Sequence, residues 1–159
     1  MSKKTNKNKK EIALGTTKAR GLEGKTFFIK NTASFYFLDC NNIGNVYFVE
    51  KKPNDPSPNK WEFIKTESVG TYYIKHIDTQ LYLTSDEHGD IFTTIPLNST
   101  LQKWNIYSTS VSETYNVQNM SNELYLLESK TDDVYLYMID DDKKKDFSFF
   151  HIFQRFPKK

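Results

Sequence analysis

The sequence predicts an all-β domain built from three copies of a four-strand unit. Two observations carry that expectation. Three Thr-led segments recur 45 and 43 residues apart, each followed at fixed offsets by the same kinds of side chain. Within them, β-branched and aromatic residues alternate with polar ones at a period of two, and no stretch sustains a helical period.

The elements follow in order. Met1–Lys10 is polar and lysine-rich with no apolar stretch behind it, so no secretory leader is expected. Residues 1–25 carry eight basic and two acidic side chains, a net of +6, which leaves −4 for residues 26–159. This basic tail, 1–25, is expected to be largely disordered, with 11–25 a partly ordered lead-in, because it holds little apolar surface to offset its ordering entropy. The domain is expected over 26–156, with copies at about 26–67, 71–110 and 114–154. Each copy opens on a Thr-aromatic strand: Thr26-Phe27-Phe28-Ile29, Thr71-Tyr72-Tyr73-Ile74 and Thr114-Tyr115-Asn116-Val117. Eleven residues after each Thr comes an aromatic-Leu pair: Phe37-Leu38, Tyr82-Leu83, Tyr125-Leu126. Twenty residues after it comes a β-branched residue with an aromatic: Val46-Tyr47, Ile91-Phe92, Val134-Tyr135. The closing strands are Trp61–Ile64, Trp104–Tyr107 and Phe150–Phe153. In the first two copies a glycine, Gly44 or Gly89, precedes the third strand by two residues, as a turn with positive φ requires. The third copy has Asp132 there.

Four short strands cannot bury their own apolar face, so the copies must close on one another as a threefold barrel capped by hairpins. The pattern resembles the β-trefoil fold over residues 26–154. Leu101-Gln102-Lys103-Trp104 carries the Gln-x-Trp signature of ricin B-type lectin domains, Asn59-Lys60-Trp61 is a near match, and Ser148-Phe149-Phe150 has lost it. The chain is similar to small protozoan trefoil lectins and to clostridial haemagglutinin trefoils. It departs from plant members in lacking their cysteine pairs and in its short hairpin loops. The resemblance implies that Trp61, Trp104 and Phe150 pack in the core.

The resemblance also implies a carbohydrate-binding function, directed at galactose or N-acetylgalactosamine on glycoproteins or glycolipids. Such a site needs a carboxylate for adjacent hydroxyls, a ring for the apolar face of the sugar, and an amide to fix orientation. The acid position after the aromatic-Leu strand reads Asp39, Thr84 and Leu127, so only the first copy keeps a carboxylate. If Val46, Ile91 and Val134 face the core, Tyr47, Phe92 and Tyr135 face outward. Two residues further on, only the third copy has a ring, Tyr137. The expected site is Asp39, Asn41, Tyr47 and Asn59, with Phe92, Tyr135 and Tyr137 secondary. For Asp39 and Asn59 a turn or structural role is the competing reading.

Other chemistry finds little support. The single Cys40 cannot form an internal disulfide, and His76, His88 and His151 fall at different places in the copies, so no metal or other cofactor is expected. No Gly-rich phosphate loop, nucleophile elbow or His-Glu-x-x-His motif occurs, and no enzyme is expected. No apolar run approaches the roughly 18–20 residues of a membrane helix, and the acidic body argues against nucleic acid. The expected location is the cytoplasm, or outside the cell after release without a classical leader. One site per chain implies a homodimer if cells are to be agglutinated. Two alternatives remain. The hairpin Tyr82–Gly89 resembles those of actin-binding fascin- and hisactophilin-like trefoils, and Pro53-Asn54-Asp55-Pro56-Ser57-Pro58 would suit the presenting loop of a trefoil protease inhibitor.

Overall fold

The computed structural model describes residues 13–128, 134–137 and 148–154, with backbone alone for 134–137. Twelve of its strands are the expected ones. The first copy supplies β2 (Lys25–Asn31), β3 (Phe37–Cys40), β4 (Val46–Val49) and β5 (Trp61–Lys65). The second supplies β6 (Thr71–His76), β7 (Tyr82–Ser85), β8 (Ile91–Thr94) and β9 (Trp104–Ser108). The third supplies β10 (Thr114–Asn119), β11 (Tyr125–Glu128), β12 (Val134–Tyr137) and β13 (Phe150–Phe153).

First and fourth strands of the copies close into a ring of antiparallel pairs: β2–β5, β5–β6, β6–β9, β9–β10, β10–β13 and β13–β2. The second and third strands form three hairpins, β3–β4, β7–β8 and β11–β12, each joined to the ring through its own first strand. A six-stranded barrel capped by three hairpins is the β-trefoil architecture.

Its core is the periodic set. Trp61, Phe63, Ile74, Leu83, Trp104, Ile106, Val117, Leu126 and Phe150 are wholly buried. Each tryptophan indole N–H donates to the carbonyl of the Leu in its own copy's second strand, Trp61 to Leu38 and Trp104 to Leu83, both at 3.0 Å. Phe150 lacks that donor and instead stacks on Phe48 at 5.9 Å between centroids. Gln102 satisfies three groups around the second tryptophan: it accepts from Leu97 N–H and donates to the Ile95 carbonyl and the Thr84 hydroxyl. Gly44 adopts φ +96°, and a Cβ there would stand 2.8 Å from the Thr93 carbonyl, so the first hairpin packs tightly on β8. Gly89 takes the matching φ of +92°.

Residues 11–25 were expected to be a partly ordered lead-in; within them β1 (Thr17–Lys18) pairs with β9, and Ala19 and Leu22 enter the core. The Ala19 N–H donates to Ile106, and the Ala19 carbonyl accepts from the Tyr72 hydroxyl at 2.8 Å. Two apolar residues at a three-residue spacing, the β1 ladder and a buried bond from the Gly15 N–H to Asn116 Oδ1 dock the segment, although its charge pattern reads as a solvated tail. Residues 1–12 lie outside the described residues, as does Asp132.

Candidate functional site

Asp39 and Tyr47 are directly opposite each other in the β3–β4 register, so their side chains share the outer face of the first hairpin. Leu38 and Phe48, one residue off, face the core. Tyr47 is 36% exposed. Burial and then the charge of Asp39 raise the pKa of its hydroxyl.

The Asp39 carboxylate is held asymmetrically. Its Oδ1 accepts from His76 Nε2 at 2.6 Å, from the Cys40 N–H at 2.8 Å and from Asn59 Nδ2 at 3.3 Å. Its Oδ2 accepts none among the described residues and is not sealed from solvent; the side chain as a whole is 12% exposed. One oxygen is thus the anchor, and the other is without a bond among the described residues on the hairpin face that Tyr47 shares. Burial is the largest single influence on Asp39 and opposes its charge, but the bonds from His76, Cys40 N–H and Asn59 outweigh it and lower its pKa.

His76 comes from the second copy and has no exposed surface. Burial opposes its protonation most strongly, yet Asp39, with Cys40 adding to it, holds the imidazole pKa up at about 9. Its Nδ1 lies 3.0 Å from the Thr79 hydroxyl, which can accept from the charged ring, and 3.2 Å from the Thr79 N–H, which can donate to the neutral one. The Trp61 ring meets it edge-on at 4.8 Å.

The same groove recurs between each copy and the next. Asn31, His76 and Asn119 occupy one repeat position. Asn31 and Asn119 accept from the backbone N–H groups two and three residues on, and His76 Nδ1 takes over the second of these bonds. Ser34 donates to Glu128 and Asn122 to Ser85 across the equivalent grooves, where Thr79 meets the Cys40 sulfur. Sequence reading passed over His76 and Thr79. The signal was there: the copy with an acid directly after its aromatic-Leu pair, Asp39, faces the copy with His in place of Asn.

The other expected residues divide. Asn59 bonds Asp39, as Gln102 bonds Thr84 in the second copy, so the Gln-x-Trp amide orients the acid position. Asn41 Oδ1 accepts from Ile43 and Asn45 N–H within the hairpin turn, as Asp86 does from His88 and Asp90. Only the Asn41 amide nitrogen is left for a ligand. Phe92 is half-buried opposite Thr84 and bridged to Asn45. Tyr135 and Tyr137 lie in β12 opposite Leu127 and Tyr125, but their side chains lie outside the description. Two clefts, of ≈ 590 Å³ (Phe27, Lys30, Glu113, Tyr115, His151, Phe153) and ≈ 410 Å³ (Arg20, Glu23, Lys65, Glu67, Tyr72), lie elsewhere on the barrel.

No protein-family model and no curated protein matches the chain in sequence. Solved structures do. It superposes on a designed threefold-symmetric protein, ThreeFoil, with a TM-score of 0.67 and 10% identity, covering 82% of this chain and 99% of that one. SeviL bound to the asialo-GM1 saccharide matches at 0.65 and 14%, covering 82% and 98%. A β-1,3-galactosidase of the GH43 class matches at 0.67 and 20%; 86% of this chain covers 28% of that enzyme. These likenesses establish the fold.

Proposed function

We propose that this chain is a carbohydrate-binding module, not a catalyst, whose working site is Asp39 and Tyr47 on the first hairpin, with Asn59 and His76 positioning the carboxylate. One observation carries the reading: three donors converge on Asp39 Oδ1, Oδ2 accepts no bond among the described residues and keeps some solvent contact, and the partly exposed Tyr47 stands opposite in the hairpin register. A preorganised acceptor next to an aromatic face is what a sugar with vicinal hydroxyls and an apolar C–H face requires, because the carboxylate needs no reordering on binding. Galactose-type sugars, which expose such a face well, are the proposed ligands. The saccharide-bound relative supports sugar binding as a use of this fold. A shallow site of this kind binds weakly alone and gains from multivalency, through a homodimer or further working copies.

A glycan array competed by free galactose and N-acetylgalactosamine tests the proposal. Binding by the native chain should fall at least about tenfold, roughly 1.4 kcal/mol, in Asp39→Asn, with fold confirmed by circular dichroism. No glycan binding, or binding indifferent to Asp39→Asn, would overturn it. Filament co-sedimentation or protease inhibition in its absence would support an interaction trefoil instead.

A further inference from the structure

Phe35 sits where a phenylalanine is least expected. Its backbone is left-handed, φ +66°, and its side chain is 62% exposed. The equivalent residues of the other copies, Gln80 and Glu123, share that conformation at +65° and +61°, and in all three the N–H closes onto the carbonyl four residues back. The turn therefore demands positive φ, which bulky side chains disfavour. The first copy alone adds a large exposed ring to that strain. Holding Lys30 does not explain it: the Lys30 ammonium lies 5.4 Å from the Phe35 ring, but also 5.8 and 5.5 Å from Phe37 and Phe153. A residue kept against both backbone preference and solvent exposure points to use.

Its place in the hairpin says what use. Val49, 36% exposed, pairs with Phe37, and Tyr47 pairs with Asp39. Phe37, Asp39, Tyr47 and Val49 share one face of the hairpin, since alternate strand residues do, with Phe37 itself buried against Phe28 and Phe153 and Val49 left exposed. The carboxylate–Tyr47 pair therefore continues within about 7 Å to the Phe37–Val49 pair, and Phe35 lies just beyond, where the strand begins. The same copy holds the acid, the first ring and this second ring.

We infer that Phe35, reached along the outer face through Val49, is a second sugar-stacking platform, so the ligand is an oligosaccharide and not a single sugar. This rests on the proposed Asp39–Tyr47 site. Calorimetric titration with a monosaccharide and a tetrasaccharide sharing the terminal sugar selected on the array, galactose in the first instance, tests it in the full chain, in Phe35→Gly and in Phe35→Asn. Both substitutions suit the left-handed turn, so their melting temperatures should not fall. Tetrasaccharide affinity should drop about tenfold, ~1.4 kcal/mol, with monosaccharide affinity unchanged. Native tetrasaccharide affinity in both variants, or equal loss for both ligands, overturns the inference and leaves the sugar site standing. No glycan binding by the native chain overturns both.

Discussion

Asp39 and His76 form a buried pair whose members come from different copies, and their titration couples stability to pH. The His76 pKa rises from 6.5 to about 9 in the folded chain. Its stabilisation is therefore fully present below pH 6.5 and lost as pH climbs through about 9. Asp39 is lowered from 3.8, so its contribution is present above that value and lost as pH falls through the lower folded pKa. The thermal midpoint should show a plateau between about pH 4 and 6.5 and decline on the alkaline side. In His76→Asn, which restores the residue of the other two copies, that alkaline decline should flatten. An unchanged pH profile in the variant would show that the pair does not carry the effect.

The closing-strand motif has a measurable weight. Gln102 bonds Leu97 N–H, the Ile95 carbonyl and the Thr84 hydroxyl in the interior. Gln102→Ala would strand these groups, and a loss of about 2–4 kcal/mol is expected by urea denaturation. Asn59 in the same role makes one side-chain hydrogen bond among the described residues, to Asp39. Asn59→Ala should therefore cost about 1 kcal/mol and show more in ligand affinity than in stability. The three hairpins are alike in register, yet their grooves differ in the two residues that meet across them. That is how one repeated element places the Asp39–His76 pair in the first groove and the Ser34–Glu128 pair in another.

The molecule as a whole depends on a segment outside its repeats. Residues 13–24 add β1 to the barrel, bury Ala19 and Leu22, and accept the Tyr72 hydroxyl. A chain starting at Gly24 should lose about 2–4 kcal/mol, read as a lower urea midpoint, and keep an all-β spectrum because the closed ring of six strands does not include β1. Among the described residues no helix is long and apolar enough to cross a membrane. Exposed apolar side chains occur on more than one copy, with Phe35, Ile43, Tyr47 and Val49 in the first and Ile77, Ile95 and Leu97 in the second.

Periodicity alone was enough for the barrel. Trp61, Trp104, Phe150 and the aromatic-Leu pairs recur at fixed offsets because each copy must present the same apolar face to one core, and that demand is written along the chain. That Asp39 and Tyr47 share a hairpin face was legible for a similar reason: strand alternation in a predicted hairpin sets both on the side opposite Leu38 and Phe48. The orientation of Asp39 was not, because its partners lie far along the chain: Asn59, 20 residues away, meets it when the first copy closes, and His76, 37 residues away, only when the second copy packs against the first. The docking of residues 13–24 was hidden for the same physical reason. Two apolar side chains in a basic stretch acquire weight only when a closed barrel offers them a place to be buried.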